Sequence, residues 1–174
     1  MWRTGIQGSR LSLRSAGMTE IGTRRIEVVN TMLAGHLALL IAALFTGAAV
    51  FINFAEQPAR LLVDDRALLT QWKASYKRGF AMQAPLAILG FLCGLLAWWQ
   101  SGQWLWIGGA LLMIANWPFT LFAIMPTNNR LMATDPSDSD SASRALIERW
   151  GRLHGWRSVL GALATLTFLA ALHV

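Results

Sequence analysis

Few side chains in this sequence can carry chemistry, and those that can recur at helical spacings. Glu56 and His154 are candidate proton acceptors, and Arg157 and Asn129 are candidate stabilisers of the anion that a lost proton leaves behind. Asn53, Arg60, Arg78 and Asn128 add polar groups able to hold oxygen substituents, and Trp72, Tyr76 and Trp150 offer flat apolar faces for an aromatic ring. That set suits proton removal with stabilisation of the resulting anion beside an aromatic wall. Asn53, Glu56 and Arg60 fall at i,i+3/i+4 spacing, as do Trp72, Tyr76 and Phe80, and as do Trp150, His154, Arg157 and Gly161, so each trio or quartet shares one helical face.

The histidines do not assemble a metal centre. At about 1.5 Å per residue His36 lies roughly 25 Å along a helix from Asn53, and His173 is equally remote from His154. One histidine, a carboxylate and amides remain, short of the three protein ligands usual for catalytic zinc, so no metal is expected. A haem would need only His154 as an axial ligand, and the cofactor is left open. The single cysteine, Cys93, excludes an intramolecular disulfide, and no CxxC, GxGxxG, phosphate loop or HExxH motif occurs.

These residues must be positioned by membrane helices. Of 174 residues, 55% are hydrophobic and 14% charged, against about 25% charged in an ordinary soluble domain. Every Lys, Arg, Asp and Glu avoids three stretches, 28–55, 79–129 and 158–174. A bilayer core of about 30 Å takes roughly 20 apolar residues of helix, so the first stretch supplies one span, 31–54. The second is too long for one crossing and folds back at Gln100-Ser101-Gly102-Gln103, giving spans 79–99 and 104–125 with Trp98, Trp99, Trp104 and Trp106 as an interfacial belt. A fourth span covers 155–174. The expected fold is therefore an all-α bundle of four transmembrane helices in one domain, 28–174, preceded by a basic, disordered tail, 1–27. That tail has the composition of a transit peptide up to Met18, an alternative start.

Four spans put the 55–78 and 126–154 connections on one side, each with extramembrane helical segments. Ten of the fifteen Lys and Arg lie on that side, which the positive-inside rule makes cytoplasmic, with both termini outside. Pro58 is expected to kink or stop the first helix near Gln57, Asp64 or Asp65 to cap a helix from Arg66, and a last helix to begin after Ser141 or Ser143. The Met125-Pro126-Thr127-Asn128-Asn129 run reads as the opening of a loop that becomes a solvated acidic linker over 134–143. Lys73, Lys77 and Arg149 read as snorkelling anchors, Asn116 and Thr120 as packing residues, and Glu148 and Arg152 as a surface pair. Glu56, at membrane depth, is expected to pair with Arg60 or Arg157. The net charge of +6 reflects loops beside anionic lipid and not nucleic-acid binding, so the partners are the bilayer and a lipophilic small molecule, with oligomeric state open.

The run Asn53-x-x-Glu56-x-Pro58-Ala59-Arg60, then Trp72-Lys73, Tyr76-x-Arg78-Gly79-Phe80, Trp117-Pro118-x-Thr120, Met125-Pro126-Thr127-Asn128 and Trp150-x-x-x-His154-x-x-Arg157 resembles the anthrone oxygenase-like family of small four-helix membrane proteins. The resemblance covers about 28–174. It implies oxidation of polyketide anthrones to anthraquinones with dioxygen, without a well-defined cofactor, and leaves Glu56, Asn128, Asn129, His154 and Arg157 as matching positions. The family pattern has His where this chain has Gln57, a departure that removes one candidate base. The alternative is a non-catalytic binding or accessory subunit whose polar end locks the loops together. A transporter fits least, for want of a repeat or a charged midplane residue.

Overall fold

The computed structural model describes residues 33–173, which are built almost wholly of helix; the basic tail and the first residues of the expected first span lie outside the described residues. Four helices follow in order: α1 (Leu33–Arg60), α2 (Asp65–Ser101), α3 (Trp104–Ala133) and α4 (Ser141–Ala171). The first three are long and apolar enough to cross a membrane. The fourth is long enough, but its polar first half includes Arg144, Glu148, Arg149, Arg152, His154 and Arg157.

The helix ends follow from local chemistry. The Asp64 carboxylate accepts from Ala67 N–H to cap α2, and Asp140 exchanges hydrogen bonds with Ser143 in a capping box that opens α4. Gly102, with φ of 72°, closes α2 in the left-handed region that only glycine enters freely. The α2–α3 hairpin turns where the polar break at 100–103 placed it. Trp99 and Trp104 stand exposed beside that turn, whereas Trp106, expected in the same belt, is buried. Its ring packs on Gly35, where an added Cβ would sit 2.5 Å from the indole.

Two prolines depart from expectation. α1 continues through Pro58 to Arg60, and α3 continues through Pro126 to Ala133, so Asn128 and Asn129 sit on a helix and not in a loop. In each case a five-residue π-turn, Ile52–Glu56 or Thr120–Ile124, ends two residues before the proline. Gln57 N–H reaches Ile52 O and Met125 N–H reaches Thr120 O, a wider winding that leaves room for a ring that cannot donate.

The lower bundle is packed through small residues. Ala34, Ala38, Ala42 and Ala49 line the buried face of α1, and Phe168 of α4 fills the space left by Gly94 and Gly109, where an added Cβ would lie 2.9 Å or less from its ring. The Gly90–Gly94 face thus serves close approach within the chain. A second core of Leu68, Leu69, Trp72, Ile124, Leu131, Ile147 and Trp150 closes the other end, where both longer connections meet. There Arg144 binds Asp65 at 2.5 Å and donates to Leu61 O and Val63 O. Lys73, read as a snorkelling anchor, donates to Met132 O and Thr134 O and so caps the carbonyl end of α3. Glu148 and Arg152 are both exposed and form no ion pair; the ion pairs among the described residues are Glu56–Arg60 and Asp65–Arg144.

Candidate functional site

The site begins at the seam between α1 and α4. Asn53 Nδ2 donates to Gly151 O at 2.9 Å, and Gln57 Nε2 donates to Ile147 O at 3.0 Å, an antiparallel register in which one turn of α1 matches one turn of α4. Gly151 permits this approach, because an added Cβ would lie 2.7 Å from Gln57 Nε2. With its amide nitrogen committed to a carbonyl, Asn53 must present its oxygen to the remaining neighbours. That oxygen accepts from Ser158 Oγ at 2.9 Å and lies 2.8 Å from His154 Nδ1. An oxygen acceptor there places the imidazole proton on Nδ1, and in the neutral ring the lone pair is then on Nε2. Asn53 is therefore the group that orients His154, which is itself 1% exposed.

Aromatic rings wall the site. Tyr76 stacks on Trp72 with centroids 5.1 Å apart and planes within 2°, Trp150 meets Trp72 edge-on at 5.7 Å, and His154 lies 4.9 Å from Trp150. The Arg60 guanidinium rests over the Trp150 ring, 5.6 Å from its centroid. The stripe of Trp72, Tyr76 and Phe80 seen in the sequence is thus one wall of this chamber, with Phe80 centred 6.3 Å beyond Tyr76.

The rings enclose a small cavity lined by Tyr76, Phe80, Gln83, Asn128, His154 and Arg157, with about 20 Å³ of space open to a water-sized sphere. Gln83 Nε2, Asn128 Oδ1 and Arg157 Nε are buried and have no hydrogen-bond partner in the protein. Leaving such a group unpaired costs about 1–3 kcal/mol, more where it is charged, so three beside one cavity mark a place built to receive polar atoms. Among the described residues no group of three or more His, Cys, Asp and Glu side chains is placed to hold a metal ion.

The structure divides the sequence-expected residues into groups. Tyr76, Asn128, Trp150, His154 and Arg157 line the cavity, Asn53 stands behind His154, and Trp72 and Arg60 stand behind Trp150. Glu56 and Arg78 line a neighbouring cleft of about 450 Å³ between α1 and α2, across Ser75 and Gly79 from the histidine. Glu56 pairs with Arg60, as one of the two expected partners, and also accepts from Ser75 and from Gln71 at 3.0 Å. Asn129 is exposed and does not line the cavity, which is reached instead by Asn128, 1% exposed. Gln57, where the resemblance led to an expected histidine, binds α4 backbone and does not line the cavity.

Sequence reading missed Gln83. Its signal was the same one that drew attention to Asn116: a neutral amide inside a long charge-free run, 1% exposed once the helix is built.

The sequence model of the anthrone oxygenase family matches residues 72–167, from the first tryptophan of the aromatic wall to beyond Arg157. The chain belongs to the anthrone oxygenase family. A curated relative, the anthrone oxygenase of Claviceps purpurea (strain 20.1), is 29% identical over 141 residues, covering 72% of this chain and 80% of its own. No solved structure matches the chain. Within this family member the matched segment holds Gln83, Asn128, His154 and Arg157, while the orienting Asn53 precedes it.

Proposed function

We propose that this protein is an integral membrane oxygenase that converts a lipophilic anthrone-like ring ketone into the corresponding quinone, using dioxygen. All four helices cross the bilayer in this reading, with the two longer connections on the cytoplasmic side. His154 Nε2 takes a proton from the benzylic CH₂ of the substrate, which leaves an anion delocalised onto the ring oxygen. Arg157 and the Gln83 amide donate hydrogen bonds to that oxygen, and Asn128 Oδ1 accepts from a phenolic hydroxyl. The anion delivers its electrons to dioxygen, forming a C–O bond and, with a proton, a hydroperoxide. Loss of the second benzylic proton then breaks the O–O bond, forms the new carbonyl and releases water, so one substrate and one dioxygen give one quinone and one water. Tyr76, Phe80 and Trp150 bracket the ring.

The observation that carries this reading is the group of three unpartnered buried polar atoms, Gln83 Nε2, Asn128 Oδ1 and Arg157 Nε, on residues that line one cavity with a tautomer-fixed histidine. The family name of the relative supports the substrate class. Glu56 is given no step in this reading because it lines the neighbouring cleft and not the cavity with His154; Arg60, Ser75 and Gln71 meet one of its oxygens, Oε1, and tie α1 to α2 there.

The test is turnover of 1,8-dihydroxyanthrone by purified protein in lipid nanodiscs, followed by oxygen uptake and quinone absorbance. Wild type should exceed the spontaneous reaction, and His154→Gln should lose about 100-fold or more of that excess. Equal rates for wild type and His154→Gln refute the assignment.

A further inference from the structure

The polar cavity alone is too small for a whole tricyclic ring, and the adjoining spaces show where the rest of the ring can lie. On the α2–α3 side it adjoins a second space of about 50 Å³, which shares Phe80, Thr120 and Arg157 with it. That space adjoins in turn a cleft of about 420 Å³ on the outer face, lined by Ala81, Ala84, Pro85, Ile88 and Trp117 with no polar surface at all. Phe80 borders all three. On the α1–α2 side the larger cleft ends on Glu56 and Arg78, and the Glu56–Arg60 ion pair stands at its back.

From this continuity we infer that the lipophilic substrate enters sideways from the hydrocarbon, between α2 and α3, past a door formed by Phe80. The inference rests on the membrane setting proposed above, but not on the reaction.

Three observations favour this route over the charged cleft. First, the outer cleft lies within the charge-free stretch 79–129 and is wholly apolar, a surface an apolar ring ketone in hydrocarbon can enter without desolvating charge. Second, α2 presents alanine at 81, 84 and 87, and short side chains there leave a channel against Trp117, whose indole is fixed by a hydrogen bond to Ala84 O at 3.4 Å. Third, Phe80 is 41% exposed and its one ring neighbour, Tyr76, sits at 6.3 Å, tilted by 41°. Leu89 and Leu121 are as exposed, but Phe80 is the one residue that borders all three spaces, so turning of its ring is what would join them. Beyond it, Asn116 Oδ1, buried and unpartnered, and Arg157 lie in the middle space, so a ring passing the door meets polar partners along the way.

The experiment reads access and not turnover, so that failure of the route and failure of the oxygenase reading are separable. In a Cys93→Ala background, Thr120→Cys places a thiol on the wall shared by the inner two spaces. Protein in liposomes is exposed to N-phenylmaleimide, which partitions into lipid, or to a charged methanethiosulfonate sulfonate in water, and labelling is followed by intact mass. We expect the lipid-borne reagent to label far faster than the charged one. Ala84→Trp, blocking the apolar cleft, should slow it about tenfold, Ala74→Trp in the charged cleft should change it less than about twofold, and Phe80→Ala should speed it severalfold. Because Phe80→Ala removes an obstacle, it reports on the route even if the Ala84→Trp protein folds poorly. The inference is overturned if the charged reagent labels as fast as the apolar one, if Ala74→Trp is the blocking change, or if Phe80→Ala leaves the rate unaltered.

Discussion

Removing the Glu56 carboxylate should damage the protein far more than its partly exposed position suggests. Arg60 is 4% exposed, and its Nε and Nη1 already lack partners. Apart from Glu56 it keeps only a hydrogen bond from Nη2 to Ser75 Oγ at 3.2 Å and the Trp150 ring face. Glu56→Ala therefore strands a buried guanidinium, which costs about 3–5 kcal/mol. Arg60→Met alone should cost less, about 1–2 kcal/mol, because Glu56 retains Ser75 and Gln71 and part of its hydration. In the double variant no charge is stranded, and its loss should fall at least about 2 kcal/mol short of the summed single losses. The assay is unfolding of the three variants and wild type in dodecylmaltoside micelles by titration with dodecyl sulfate, followed by far-UV circular dichroism. Additivity within about 0.5 kcal/mol would show that the pair is not coupled, and the argument from a stranded cation would fail.

Gln83→Leu should separate function from stability. It removes a buried amide that has no partner in the protein, so the melting temperature should hold or rise, while the affinity for 1,8-dihydroxyanthraquinone, measured by tryptophan quenching, should fall about tenfold. Asn53→Leu should lower turnover about 10- to 100-fold with little change in KM, since it frees His154 from its fixed tautomer without touching the cavity lining. Gly151→Ala should destabilise the bundle by about 1–3 kcal/mol in thermal melts by pushing Gln57 off Ile147 O, and Gln57→Ala should cancel most of that additional loss.

Much of the fold was legible because its signals are local. The charge-free stretches gave the helices, the polar tetrad gave the hairpin, Asp64 or Asp65 gave the start of α2 to within a residue, and Ser141 or Ser143 gave that of α4 to within about a turn, its cap being Asp140. Periodicity gave the aromatic wall and the Trp150–His154–Arg157 face, since side chains at i,i+4 stay together whatever the helix packs on. What sequence reasoning could not supply was the response of a helix to proline. Pro58 was expected to kink or stop its helix and Pro126 to open a loop, yet a wide turn before each let the helix run on, which moved Asn128 and Asn129 from a loop to opposite environments on one helix. Partner choice was similarly hidden: Glu56 had two arginines in reach by topology, and only the packed backbone selects Arg60. Asn53 was read as a contact for substrate, whereas its three hydrogen bonds make it the support of the histidine.

The π-turn in α1 reconciles two faces that ordinary winding would set apart. Phe45 packs on Gly161 of α4 and Gln57 packs on Gly151 of the same helix. At about 100° per residue a regular α-helix would swing Gln57 roughly 120° away from Phe45. One surplus residue in the wide turn cuts that to roughly 20°, so the greasy stripe below and the amides above can both meet one neighbour. Deleting a single residue between 52 and 56 would thus force a choice between an intact core and an aimed histidine. Chain length in that segment, as much as the identities of Asn53 and Glu56 within it, is a quantity this architecture cannot vary.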